Sequence, residues 1–417
     1  MMKKVVLILT ILLGVLSAWG QRQVAIVNDS QGSRLTIDGK AFFVNGMNWD
    51  YFPIGTNYTY SLWNQPEDVI REALDSEMSL LKKMGVNVIR QYAGVPSRWV
   101  QYIFEHYGIY TMINHSFGRY GLTLNGIDHS HTDYTTDEVW EHLLREAEDL
   151  AYTYRNTPGL LLYLLGNENN YGLFWGGAET EDIPLADSKS HQQARAMYSL
   201  MNEGAVRIKN IDSSRPVAIC NGDLMFLDII AEMCSDVDVF GINSYRGKSF
   251  DRLFSDVKEK YNKPVVLTEF GADAFNTITG QEAQQEQAEI LLSNWHEIYQ
   301  NAAGMGLSGN CIGGFTFQFS DGWWKYEQQK NLDVHDTHAS WANGGYDFDY
   351  VKGQNNMNEE WFGICAKGQP DARGLYPLQP RLAYEVLKQV HRLSPYAVTP
   401  SALEKHFKEI NIHHINQ

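Results

Sequence analysis

Two carboxylates stand out because each closes an apolar run. Leu160–Leu165 leads into Gly166-Asn167-Glu168-Asn169-Asn170, and Pro264–Leu267 leads into Thr268-Glu269-Phe270-Gly271. A carboxylate after a buried apolar run is costly unless it faces a polar cavity or a counter-charge. For a single such acid, a salt bridge inside the fold is an equal alternative. A pair offers more, because two carboxyl groups facing each other across a cavity can divide the cleavage of a glycosidic bond between them. One must be protonated beside the leaving oxygen, and the other must be ionised beside the anomeric carbon.

Facing requires that both runs belong to one closed sheet. Short β-type runs occupy 42–48, 86–92, 109–115, 160–168, 216–222, 237–245, 264–271 and 312–320. Amphipathic segments with apolar residues at helical spacing lie between them, at 66–85, 136–157, 192–210 and 285–302, and 380–393 reads as a closing helix. Eight near-continuous apolar strands alternating with helices predict a parallel sheet covered on its outside, a (β/α)8 TIM barrel. The third unit is the weakest, since little clear helix separates His115 from Thr136. A doubly wound open sheet competes, but no Gly-rich phosphate fingerprint follows an early strand. Before the barrel, residues 34–46 read as a short N-terminal β-hairpin turning at Asp38-Gly39. No repeat or Pro/Ser linker divides 21–417, which reads as one catalytic domain. Its surplus length falls in four long loops, 49–64, 117–135, 171–190 and 320–360, rich in Trp, Tyr, Asp, Asn and His. In a barrel these follow strands, on the face that carries active sites.

The chain opens with Met-Met-Lys3-Lys4, an apolar stretch and Ala18-Trp19-Gly20. Residues 1–20 therefore read as a signal peptide cleaved after Gly20, with a secreted or periplasmic mature chain and no membrane insertion after cleavage. The competing reading, a membrane anchor, suffers because the run is shorter than the ~20 apolar residues of a spanning helix. The formal net charge is −16, and loss of Lys3 and Lys4 makes it −18. That balance argues against nucleic acid or anionic membranes as partners and suits a neutral oligosaccharide or polysaccharide. Cys220, Cys234, Cys311 and Cys365 lack metal-type spacing, and their pairing stays open. Asp333, His335, Asp336 and His338 invite a metal reading, as does the pair His129 and His131, yet the chemistry proposed needs neither metal nor cofactor. A Gly-x-Ser-x-Gly elbow is absent, which disfavours a serine hydrolase.

Gly166-Asn167-Glu168 and Glu269-Phe270-Gly271 resemble the signatures of the clan A glycoside hydrolases, most closely the barrel domain of glycoside hydrolase family 2. The likeness extends over 37–49, 358–364 and 380–388, and reaches the β-1,3-glucanosyltransferases more distantly. It implies Glu168 as acid/base and Glu269 as nucleophile. Only residues 21–41 stand where family 2 barrels usually follow β-sandwich domains, so no substrate is copied from β-galactosidase or β-glucuronidase. Arg90, ending the second run, is a natural partner for Glu269, with an ion pair elsewhere inside the barrel as its alternative. Under the resemblance Asn167 offers its amide to a sugar 2-hydroxyl, and Tyr245 donates its phenol to Glu269. Trp323 and Trp324 follow the eighth run, where the family often places an indole beneath the reactive sugar. One of the two is expected to line the site and the other to pack in the core. Trp49, Trp175 and Trp341 are further candidates from the loops. His115 is a candidate for substrate hydroxyls, or else a hydrogen-bonded structural residue.

The reading that follows is a secreted, retaining β-glycosidase acting on a neutral β-linked glycan, a β-glucan above others. A transglycosylase of the same fold shares every step up to the covalent intermediate. A carbohydrate-binding protein without activity would be free to lose either carboxylate, whereas both stand here.

Overall fold

Runs such as Leu160–Leu165 are apolar at every position because both faces are covered, and all six of these residues are buried. The computed structural model describes residues 22–173 and 188–414. Eight mainly apolar runs form the barrel strands β1 (Val44–Asn48), β2 (Val88–Tyr92), β3 (Tyr110–His115), β4 (Leu160–Leu165), β5 (Val217–Gly222), β6 (Val239–Asn243), β7 (Val265–Phe270) and β8 (Cys311–Thr316). Each pairs in parallel with its neighbours, and β8 pairs with β1, so the sheet closes. All eight predicted runs appear, with ends shifted by a few residues; seven are shortened, and β8 starts one residue early, at Cys311, and stops at Thr316.

The helices wrap the outside in the order α1 (Glu67–Met84), α2 (Ser97–Tyr107), α3 (Asp137–Tyr154), α4 (Lys189–Ile211), α5 (Leu227–Met233), α6 (Leu253–Lys260), α7 (Gln284–Gln300) and α8 (Leu382–Val390), with α9 (Pro400–Glu409) beyond. In α1 the residues Ile70, Ala73, Leu74, Met78 and Leu81 recur at helical spacing and are buried. Gly85 ends that helix at φ +92°, and a Cβ there would stand 2.8 Å from His391 Cβ. The third unit is resolved by α3, whose first turn is capped by the Thr136 hydroxyl accepting from Val139 N at 3.4 Å. The stretch before it holds a small hairpin, Leu122–Leu124 with Ile127–His129, in place of helix. The helices α2, α5, α6 and α9 went unread, being short or weakly patterned.

At the other end of the barrel the predicted hairpin turns at Asp38 (φ +51°) and Gly39 (φ +76°), as a two-residue primed turn demands. It gains a third strand, Val24–Asp29. Its Val24, Leu35 and Ile37 join Val44, Val88, Leu162 and Val266 in one apolar cluster. Functional groups are thereby left to the opposite, C-terminal face. No helix among the described residues is long and apolar enough to cross a membrane. The predicted signal peptide lies outside the described residues.

Candidate active site

Strand β4 ends in a sharp turn, with Gly166 at φ +83° and Glu168 at φ +56°. Its neighbouring amides lock it. Asn169 Oδ1 accepts from Asn167 N at 2.7 Å, and Asn169 Nδ2 donates to Phe117 O at 2.9 Å. Asn170 exchanges two bonds with Gly222, at 2.9 and 2.8 Å. The asparagines around Glu168 thus fasten the end of β4 to the segments that end β3 and β5. Across the barrel, the register of β6 against β7 shifts between Ile242 and Asn243, which brings Asn243 opposite Glu269.

Arg90, pointing inward from β2, joins the two carboxylate sites. Its Nη1 donates to Glu269 Oε1 at 2.6 Å, and its Nη2 donates to Asn167 Oδ1 at 2.8 Å. Asn114 Oδ1 accepts from Arg90 Nε and Nη2 at 2.9 and 2.6 Å, so the guanidinium plane is fixed. Tyr245 donates to the other oxygen of Glu269 at 2.9 Å. Burial, with the Glu269 and Glu168 carboxylates after it, pushes the Tyr245 phenol well above its ordinary pKa, so it stays a donor. Asn243 Nδ2 donates to Glu168 Oε1 at 3.0 Å and to Asn167 Oδ1 at 3.1 Å. Thr268 Oγ1 donates to Asn243 Oδ1 at 2.7 Å and sets which way that amide faces. The chain of contacts Glu269, Arg90, Asn167, Asn243, Glu168 is continuous, at the C-terminal mouth of the barrel.

The structure therefore brings together Glu168, Glu269, Asn167, Arg90 and Tyr245. Three further participants were not singled out from sequence. Asn114 and Asn243 looked like ordinary strand residues, and Tyr120 lay in a loop. The Tyr120 hydroxyl accepts from Asn167 Nδ2 at 2.8 Å while the residue remains 48% exposed. Because Asn167 Oδ1 already faces Arg90 and Asn243, its Nδ2 is the group turned toward the mouth.

Trp49 and the core reading of one of the two tryptophans after β8 need correction, and for His115 the structural alternative stands. Trp49 is buried, and its Nε1 donates to Glu77 Oε2 at 2.6 Å beneath the loop, so it is part of the core. His115 follows Asn114 on β3 and therefore faces the other way. Its Nε2 lies 3.5 Å from Glu146 Oε2 on α3, and its Nδ1 accepts from Phe117 N at 3.2 Å. Trp323 and Trp324 are both half-buried, so neither packs wholly in the core. Trp323 stacks on His335 at 4.6 Å, and His335 stacks on Trp361 at 3.9 Å. Trp324 lies against Phe52 and Tyr58 at 5.4 and 5.6 Å. The aromatic that directly follows β8 is Phe317, half-buried and 6.3 Å from Tyr245. Trp341 also packs on Tyr245, at 5.9 Å. Trp175 lies outside the described residues. In the stretch that invited a metal reading, Asp336 pairs with Lys325 at 2.5 Å and with His338 at 2.7 Å. All four cysteines are buried as free thiols.

The family model for the TIM barrel domain of glycosyl hydrolases family 2 matches residues 30–303, a stretch that contains both glutamates. The chain belongs to glycoside hydrolase family 2. Among curated relatives, this family 2 chain is 26% identical over 272 residues to a β-galactosidase of Lactococcus lactis. That match covers 63% of the chain and 22% of the β-galactosidase, so the chain spans only a minor part of that relative's length. A second β-galactosidase, from Leuconostoc mesenteroides, is 24% identical over 251 residues, 59% of this chain and 20% of that one. Solved structures share the fold. The Bacteroides uniformis β-glucuronidase superposes with a TM-score of 0.57 at 13% identity, over 88% of this chain and 37% of that one. The Dictyoglomus thermophilum β-D-glucuronidase gives 0.54 at 18% identity, over 90% and 54%.

Proposed function

We propose that this family 2 chain hydrolyses a neutral β-linked glycan, a β-glucan above others, with retention of anomeric configuration. The observation that carries the reading is the pair of glutamates at the barrel mouth, joined through Arg90, Asn167 and Asn243. Glu269 receives a guanidinium on one oxygen and a phenol on the other, at 2.6 and 2.9 Å, an arrangement that fixes the direction in which the carboxylate points. Glu168, on the turn that ends β4, accepts from the amide of Asn243 at 3.0 Å.

In the first step a Glu269 oxygen bonds to the anomeric carbon while the carboxyl proton of Glu168 passes to the glycosidic oxygen and the carbon–oxygen bond to the leaving sugar breaks. In the second, Glu168 takes a proton from water, the water oxygen bonds to the anomeric carbon, and the bond to Glu269 breaks. Asn167 Nδ2, turned to the mouth by its other contacts, supplies a donor for the hydroxyl next to the anomeric carbon.

The test is a panel of β-glucans, β-mannans and aryl β-glycosides, with products resolved by size and their configuration followed by proton NMR. Early appearance of the β-anomer is expected. Early α-anomer rejects the double displacement. Export belongs to the same proposal, supported by Lys3, Lys4 and the apolar run after them. Sequencing the N-terminus of the mature chain from the culture medium or periplasm, with Gln21 expected first, checks it.

A further inference from the structure

Exposed aromatic side chains scattered singly over a surface need no explanation. Two that meet at the catalytic mouth do. Tyr120, on the loop after β3, is 48% exposed, and Tyr326, on the loop after β8, is 63% exposed. Strands β3 and β8 are separated around the barrel by β1 and β2, yet the two ring centroids stand 6.0 Å apart with 35° between their planes. The two loops therefore reach toward each other past the ends of β1 and β2.

Direct contact places the pair beside the reacting centre. The Tyr120 hydroxyl accepts from Asn167 Nδ2 at 2.8 Å, and Asn167 precedes Glu168 and is bound to Arg90. The phenol spends only its acceptor there. Its own O–H meets no acceptor among the described residues, so that proton is left to donate to a ligand.

Both rings sit on fastened turns. Thr132 Oγ1 donates to Gly118 O at 2.6 Å, two residues before Tyr120, and the Arg119 guanidinium carbon lies over the Tyr120 ring, 5.5 Å from its centroid. The turn that carries Tyr326 is tied to the loop after β1. Asn57 Nδ2 donates to Gln328 O at 2.8 Å, Gln329 Nε2 to the Tyr58 hydroxyl at 3.0 Å, and Gly55 N to Leu332 O at 2.9 Å. The result is a fixed aromatic surface, continuous with the catalytic network through Asn167.

We propose that Tyr120 and Tyr326 form the floor of a second sugar position next to the reactive one, so that the site takes a glycan chain and not a lone glycoside. Sugars present flat C–H faces that pack on aromatic rings, and tyrosine supplies that area at little cost in rotamer freedom. The Tyr120 hydroxyl joins the two positions, touching Asn167 on one side and holding out a proton to a sugar hydroxyl on the other. The assignment rests on the hydrolase reading above and gives its substrate a minimum length of two sugars.

The experiment is a calorimetric titration of the full chain, carrying Glu269→Gln to stop turnover, with methyl β-D-glucoside and with the β-1,3- and β-1,4-linked glucotetraoses. The better tetraose is expected to bind at least 20-fold tighter than the monoglycoside. Tyr120→Ala and Tyr326→Ala should each cut that ratio at least fivefold, and Tyr326→Phe, which keeps the ring, should retain most of it. Urea unfolding should give each Ala variant the stability of its parent, because both rings are exposed. A ratio near one in the parent, or a ratio that neither Ala variant moves, overturns the assignment. Ala variants that lose stability along with affinity make the rings packing residues and overturn it too. Turnover without the Glu269 substitution tells the two readings apart. Tetraoses bound with the expected pattern but never cut reject the hydrolase reading alone. Tetraoses cut equally well by the unsubstituted chain and by both Ala variants reject the second sugar position alone.

Discussion

Arg90 and Glu269 lie 179 residues apart in the chain, yet their side chains meet at 2.6 Å inside the barrel mouth. The same guanidinium holds Asn167, the residue before Glu168, at 2.8 Å. One buried cation thus holds Glu269 directly and holds the residue next to Glu168, and changes to either glutamate or its partners should be separable by what each does in the two half-reactions.

Glu269→Ala removes the atom that bonds to the sugar. Hydrolysis should nearly vanish, and azide entering the vacated space should restore turnover as an α-glycosyl azide. Glu168→Ala leaves that atom in place. With a dinitrophenyl leaving group the first step should survive, natural substrates should fail, and azide should give the β-glycosyl azide. Reversed anomers would exchange the two assignments; two fully active variants would remove the site altogether.

Tyr245→Phe deletes one hydrogen bond to Glu269 and leaves the ring packing on Phe317, Trp341 and Phe362. A bond to a charged group is worth roughly 1.5–3 kcal/mol, so kcat/KM should fall about ten- to a hundredfold. The melting temperature should change little. An equal loss of stability and activity would make Tyr245 a packing residue.

Trp324→Ala should weaken oligosaccharide binding by about 1–2 kcal/mol if its ring, seated on Phe52 and Tyr58, stacks on sugar. Trp49→Phe should instead leave binding unchanged and lower stability by about 1–3 kcal/mol, because it strips a buried donor from Glu77. Titration with a cello-oligosaccharide and urea unfolding separate the two effects. The opposite pattern would return Trp49 to the substrate and Trp324 to the core.

His391 is buried against Trp295 at 4.8 Å, and burial depresses its pKa from 6.5 to about 3. Between those values the unfolded chain binds a proton that the folded chain refuses. Stability should therefore fall as pH falls through about 6.5, by at most roughly 1.4 kcal/mol per pH unit, until about pH 3. His391→Gln removes that proton from the balance. Its unfolding free energy should depend on pH less steeply by about one proton between pH 6 and 4, whatever its stability at pH 7. An unchanged slope would show that the ring titrates normally.

Much of the fold was written locally. Leu160–Leu165 can only be a strand covered on both faces, because six apolar residues in a row leave no polar side to turn to water. Eight such runs in alternation with amphipathic helices have few ways to close. Glu168 and Glu269 were legible for the same reason: a carboxylate after such a run must face something polar. Asn243 and Asn114 carried no such mark, since an asparagine in a strand becomes the partner of Glu168 or Arg90 only once closure brings segments 75 and 24 residues distant into contact. His115 and Asn114 show the limit most sharply. Both end the same strand, and only the inward or outward sense of the pleat, fixed by the closed barrel, gives one to Arg90 and the other to Glu146. Trp49, in the loop after β1, was taken for a residue that meets substrate; the buried carboxyl of Glu77, waiting on α1 for a donor, turned its indole inward instead. Residue types and their order along the chain determined the strands and the acids they deliver. Which neighbours orient those acids was decided by closure of the barrel, because hydrogen-bond partners are chosen by distance in space.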